Sequence, residues 1–354
     1  MPIDTPEDLK EHIQLGIEVE LSTIPPYLFA MYSIEDQVSE PALLLRSIVV
    51  EEMLHAALAA NLLLSVGGTP DFASTAVIPT YPRELPHHKP PLLVELAPCS
   101  PQLIRDVFMR IEQPEIHGAP AQPDEFETLG QFYHALEAGL RKVADSHPLF
   151  SEPQVSAQMS DPSFYSPVQF DAEDSGGLML IDDIDSAIDA IEVIIHQGEG
   201  LSDERWADPS HQELTHYYKL ARINDGTSPL GSVKPLPRNP RTVSYPGEIR
   251  PISDLFNACY RYVFVVMQDL FTAGTDRPAS VGRLYRLMTG VLSKIALYLV
   301  NQPLEDGRFA APTFEIFEFE TDDPASELAD LASRVGRAHP ELAAVVEAIE
   351  AVIS

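Results

Sequence analysis

The stretch from Pro41 to Val66 constrains this chain most. It is apolar almost throughout, carries Leu54, Leu58, Leu62 and Val66 at helical spacing, and stops at Gly67-Gly68, residues suited to ending a helix. Inside it lies Glu51-Glu52-Met53-Leu54-His55-Ala56. Glu52 and His55 are one helical turn apart, so both side chains leave the same face. Burying a carboxylate and an imidazole in so apolar a helix costs free energy unless they meet a partner or a cation. The pattern predicts a core helix that can grip a metal ion.

The same spacing recurs at Glu213-Leu214-Thr215-His216, in a segment predicted to be helical from about Pro209 to Asn224. Two-metal bundles take Glu-x-x-His from each of two helices and one glutamate from each of the other two. Glu20 is the candidate preceding Glu52. It lies on a first helix that Thr5 caps and Pro6 opens, with Leu9, Ile13, Ile17, Leu21 and Ile24 along one face. Pro25-Pro26 are expected to bend that helix, because each removes a backbone donor. Before Glu213 the candidates are Glu192 and Glu199, which share a face with His196. Glu84-x-x-His87 has the same spacing but sits among prolines, so no metal role is assigned to it.

The rest of the chain reads as helices joined by long connections. Residues 69–101 hold eight prolines and the His87-His88 pair, and so form a crossover or lid rather than a helix. Helical patterns follow near 102–112, 124–146 and 182–199, with an irregular stretch over 148–177. A second Pro- and Gly-rich segment, 227–252, suggests a boundary between a bundle over 1–226 and a C-terminal helical extension over 227–354. In that extension, 253–273, 279–300 and 325–354 are predicted helices, and Phe256, Tyr260, Phe264 and Phe271 form an aromatic stripe that reads first as core. The strand signal is poor throughout, so the class is all-α.

Charge narrows the function. The 354 residues carry a formal charge of −31, which repels phosphate backbones and argues against nucleic acid as a partner. Two cysteines, Cys99 and Cys259, make no disulfide framework. The first residues show no basic, then apolar, leader, and no run of about 18 apolar residues predicts a membrane span. The cytoplasm is the expected location. No P-loop, Gly-x-Ser-x-Gly elbow or zinc-finger spacing is present.

Glu20-Leu21 followed by Glu51-Glu52-x-x-His55-Ala56 resembles the first helix pair of the ferritin-like superfamily. More narrowly, Glu18-x-Glu20-Leu21-x-Thr23-Ile24-Pro25-x-Tyr27-Leu28, with Gln197-Gly198-Glu199-Gly200 and His216-Tyr217, is similar to the ferritin-like domain of bacterial iminophenylpyruvate dimer synthases of bisindole pathways such as violacein. The resemblance covers about residues 9–225 and implies a ferritin-like four-helix bundle with additional C-terminal helices. It carries over Glu20, Glu52, His55, Glu199, Glu213 and His216 as metal ligands, with Glu192 the alternative to Glu199. The dimer synthases are longer, with a haem-associated region, and this chain has no Cys-x-x-Cys-His.

Carboxylate and imidazole donors suit two iron or manganese ions, and zinc is compatible with the ligand types. The expected activity is an oxidoreductase that activates oxygen or peroxide on a small organic metabolite, and the alternative is an iron-binding or iron-storage protein. The expected partners are a small-molecule substrate or oxygen, and a homodimer is allowed. An enzyme of this kind needs a ligand-sized pocket, expected to adjoin Glu20, Glu52 and His55 under the Pro-rich crossover.

Overall fold

The structure, a computed structural model, describes residues 3–114, 120–166, 176–198 and 214–353. Glu199, Glu213, His117 and Trp206 lie outside the described residues. Helices dominate. The strands among the described residues are a two-stranded antiparallel ribbon, Arg83–Glu84 on Leu93–Val94, within the Pro-rich crossover.

Helix α1 spans Pro6–Ser33. Its start is a reciprocal cap in which the Thr5 hydroxyl accepts from the Asp8 amide and the Asp8 carboxylate accepts from the Thr5 amide. Pro25 and Pro26 lie inside one unbroken helix. Pro26 cannot donate to the Ser22 carbonyl, and the Tyr81 hydroxyl from the crossover donates to it instead, at 2.6 Å. The tertiary fold therefore supplies the bond that the sequence removes.

Helix α2, Glu40–Ser65, packs along the length of α1. By length and a mean hydropathy of 1.5 it could cross a membrane, yet 83% of that stretch is buried inside this fold. Its apolar surface is the centre of the bundle. Helix α3 covers 101–111 and contains a π-helical turn at Ile104–Phe108. Helices α4 (Leu129–Ala144), α5 (Ile184–Gly198) and α6 (His216–Asn224) complete the bundle, α5 and α6 resting on α2 and α4 on α1. The start of α4 also departs from the sequence reading: Thr128 and Gln131 form its capping box, so the helix begins five residues later than 124.

Four further helices follow: α7 (Arg250–Leu270), α8 (277–299, with a π-helical stretch at Arg286–Leu292), α9 (Pro324–Ala338) and α10 (Ala343–Ile353). They pack on one another, and one contiguous hydrophobic cluster joins them to α1 and α2. Phe271 stacks on Phe72 of the crossover, with ring centroids 5.2 Å apart.

Candidate metal centre

Two groups of buried side chains converge between α1, α2, α3 and α6. Glu20, Glu52 and His55 form one; Glu52, Glu112 and His216 form the other; within each, the candidate donor atoms lie within 4.8 Å of one another. Glu52 belongs to both. The His55 and His216 rings lie nearly parallel, with centroids 5.4 Å apart.

Each carboxylate is held by one oxygen and points the other inward. Tyr133 donates to Glu20 Oε1 and Tyr27 donates to Glu112 Oε1. The Thr23 hydroxyl lies 2.7 Å from Glu52 Oε2. The remaining oxygens face the imidazoles: Glu20 Oε2 is 3.3 Å from His55 Nδ1, while Glu52 Oε1 and Glu112 Oε2 are 2.9 and 3.3 Å from His216 Nδ1.

The histidines repeat that logic. His55 Nε2 faces Gln197 Oε1 at 2.9 Å, and His216 Nε2 faces Glu51 Oε2 at 2.8 Å. Both outer partners are acceptors, so a neutral ring donates outward from Nε2 and turns the lone pair of Nδ1 toward carboxylate oxygens. Acceptors facing acceptors at such distances are unfavourable without a cation between them. Adjacent ligands of an octahedral ion bonded at about 2.1 Å sit about 3 Å apart, which matches the observed spacings. The residues present therefore fit a metal ion in each group.

The electrostatics agree. Burial, then the Glu112 and Glu20 carboxylates, push the Glu52 carboxyl well above the usual range. Burial would raise Glu20 as well, but the His55 hydrogen bond and charge overcome it and leave the group lowered. Burial opposes charge on His216, and Glu112, Glu51 and Glu52 outweigh it, so the metal-free ring is held protonated. A cation would take the place of that proton.

Behind His216 lies a second layer. Lys219, fully buried one turn further along α6, reaches both oxygens of Glu51 at 2.6 Å. Ser47 donates to Glu51 Oε1 at 2.8 Å. Burial disfavours the Glu51 charge, but Lys219 and His216 hold it far below the usual carboxylate range. An ionised Glu51 fixes the ring orientation and tautomer of His216, as carboxylates behind ligating histidines do.

Glu20, Glu52, His55 and His216 are thus brought together, whereas Glu199 and Glu213 lie outside the described residues. Glu192 is exposed and does not reach the centre. The helical Glu-x-x-His reading at 213–216 needs correction, since α6 begins at His216 and Thr215 before it is extended at ψ 165°. Sequence reasoning missed Glu112, the C-cap residue of α3, which carries no motif; a π turn of the kind found at functional sites precedes it. Glu51 and Lys219 were missed too, although a doubled acid at 51–52 and a lysine one turn beyond His216 are visible signals.

The free volume at the centre is about 10 Å³, room for little more than one water-sized group, between Leu129, Ile194 and Ile195. The ligand-sized pocket expected here is absent among the described residues. A cavity of about 200 Å³ lies instead on the outer face of α1 and α2, where Phe256, Tyr260 and Phe264 line it. Three members of the stripe read as core are buried in the hydrophobic cluster, as expected, and border this cavity as well.

A helical bundle with paired carboxylate–histidine groups in its middle defines a protein class, and the comparisons agree with it. A family model described as ferritin-like matches residues 13–225, and the chain belongs to that family. It is 25% identical to dichlorochromopyrrolate synthase of Lentzea aerocolonigenes, over 93% of this chain and 38% of that protein. It is 24% identical to 2-imino-3-(indol-3-yl)propanoate dimerase of Chromobacterium violaceum, over 88% of this chain and 34% of that protein. The chain therefore spans little more than a third of either relative. A solved ferritin-like protein from Caulobacter vibrioides shares the fold at a TM-score of 0.58 and 22% identity, covering 82% of this chain and 93% of that one.

Proposed function

We propose that this chain is a metal-dependent oxidoreductase, whose two-ion centre activates oxygen or peroxide on a small organic metabolite. The observation that carries the reading is the inward-facing donor set: Glu52 shared between two groups, Glu20 and His55 on one side, Glu112 and His216 on the other. Glu199 and Glu213 remain candidates for further coordination positions. Iron or manganese bound there would supply the redox chemistry, and both suit carboxylate and imidazole donors.

The protein's own groups prepare that chemistry. Tyr133, Tyr27 and Thr23 fix the carboxylates by one oxygen each. Gln197 and Glu51 fix the imidazoles. The apolar walls keep bulk water from a small space, which strengthens every electrostatic interaction inside it. Two relatives named for making or dimerising indole-derived imino acids and pyrroles support an organic substrate, and we extend to this chain the class of aromatic imino acids.

The test is to load the protein anaerobically with Fe(II) or Mn(II), count bound metal, and follow oxygen consumption with and without an aromatic imino acid. Two ions per chain and substrate-dependent oxygen uptake support the reading. Uptake of hundreds of irons per assembled particle without any substrate requirement overturns it in favour of iron storage.

A further inference from the structure

The 200 Å³ cavity shares no lining residue with the metal centre. It uses the next side chain round each helix: Leu21 where Glu20 faces inward, Met53 where Glu52 does. Consecutive residues of an α-helix point about 100° apart, so α1 and α2 themselves stand between the two spaces. The far wall comes from α7 and α8.

The character of that wall selects an occupant. Phe256 and Phe314 meet edge to face, as do Tyr260 and Phe264, so ring faces and ring edges are both presented to the space. Met31, Met53, Met267 and Met288 add polarisable sulfur, which packs well against aromatic guests. A cavity of about 150 Å³ accommodates one benzene ring, so the larger volume here is sized for about two fused rings.

Few polar groups interrupt the wall, and two of them lack an adequate partner. The Tyr260 hydroxyl is buried with no hydrogen-bond partner among the described residues. Arg46 makes one long bond, 3.3 Å to the Gln37 carbonyl, and no carboxylate pairs with it among the described residues. In a chain of net charge −31 that is an unusual place to leave a guanidinium. Tyr32 and Ser293 line the same part of the wall, and the Arg46 charge acts on the Tyr32 hydroxyl. A guanidinium with hydroxyls at the edge of an apolar box is the arrangement that holds a carboxylate whose body is buried.

We propose that this cavity is a second ligand site, separate from the metal centre, for an aromatic monocarboxylate of about two fused rings: rings between the Phe and Met walls, carboxylate on Arg46. The Tyr260 hydroxyl meets a polar atom of the ring system. The site stands whether or not the centre is metal-loaded, because none of its residues takes part there.

Isothermal titration of 2-naphthoate into the full chain, both metal-loaded and chelator-treated, tests this. One saturable site per chain in both states is expected. Arg46→Gln weakens 2-naphthoate about tenfold or more, the size of a lost charge-assisted bond, and changes the neutral 2-naphthalenemethanol by about twofold at most. Val263→Phe fills the space and abolishes binding of both. Should Val263→Phe fail to fold by circular dichroism, Arg46→Gln on its half-buried side chain still decides the matter. Absence of saturable binding up to about 1 mM overturns the site. So do binding that is insensitive to Arg46→Gln and binding that disappears in His55→Ala. Tighter binding of decanoate than of 2-naphthoate overturns the aromatic class.

Discussion

The inner and outer faces of the α1–α2 pair solve opposite problems with neighbouring residues. On the inner face, Glu20 and Glu52 crowd charge into about 10 Å³ of free space, and every carboxylate is tethered by a hydroxyl. On the outer face, Leu21 and Met53 border about 200 Å³ of mostly apolar space, with Tyr260 and Arg46 left short of partners. The difference teaches that a metal centre in a bundle is specified by acceptors that outer hydrogen bonds hold facing one another, and a ligand cavity by polar groups left short of partners in an apolar wall. The C-terminal helices make the second face possible, since without α7 and α8 the cavity would have no far wall.

The sharpest way to break this comparison is Glu52→Ala. Glu52 is shared by both donor groups, so its loss should reduce bound metal from two ions per chain to nearly none by elemental analysis. Binding of 2-naphthoate on the other face should persist. Retention of both ions would remove Glu52 from the centre and with it the shared-ligand geometry.

The second layer gives the next largest effect. Lys219→Met leaves Glu51 buried beside His216 without its cation, and removal of one partner from a buried pair costs about 3–5 kcal/mol. Urea denaturation should show that loss, and the double variant Glu51→Leu/Lys219→Met should recover much of it. A single-variant cost below about 1 kcal/mol, the range of exposed pairs, would mean that the Glu51–Lys219 pair is not held as tightly as its geometry indicates.

Why some of this was legible in sequence and some was not follows from where each signal lives. Glu52 and His55 sit one turn apart on an apolar helix, and Glu20 sits on the capped helix that precedes it, so local periodicity exposes all three. Glu112 enters the centre through tertiary packing at the end of a helix with a π turn, and no spacing advertises it. The Pro25-Pro26 pair predicts a bend from local chemistry alone, while the donor that keeps Ser22 satisfied comes from Tyr81, in the crossover. The aromatic stripe on α7 has the same periodicity whether it fills a core or lines a cavity, so only the packed structure separates the two.

Metal removal should change how stability responds to pH, and only on the inner face. Glu52 and His216 are both raised in the metal-free protein, the first chiefly by burial and its carboxylate neighbours, the second by carboxylates that outweigh burial. A group whose pKa is raised on folding stabilises below its unfolded pKa and loses that contribution as pH rises through the folded value. The melting temperature of chelator-treated protein should therefore fall as pH is raised above about 4.5, where an unfolded glutamate deprotonates, and fall further above about 6.5, where an unfolded histidine does. Metal-loaded protein should lack this fall, because the cation replaces the shared protons. Parallel curves for the two forms would show that the centre does not exchange protons for metal.

The smallest effect is the most local test of the two-face arrangement. Met53 follows Glu52 directly, yet it lines the outer cavity and is half-buried. Leucine is close to methionine in volume, and such swaps cost less than about 1.5 kcal/mol. Met53→Leu should leave metal content at the wild-type level, because its side chain points away from both donor groups. It should weaken 2-naphthoate binding by between about twofold and about tenfold, through lost sulfur–aromatic contact of about 0.3–1.5 kcal/mol. The informative measurement is the pair taken together, metal content by elemental analysis and ligand affinity by titration on the same preparation. A drop in metal content with unchanged ligand affinity would mean that residue 53 supports the inner face, and that α2 does not separate the two spaces.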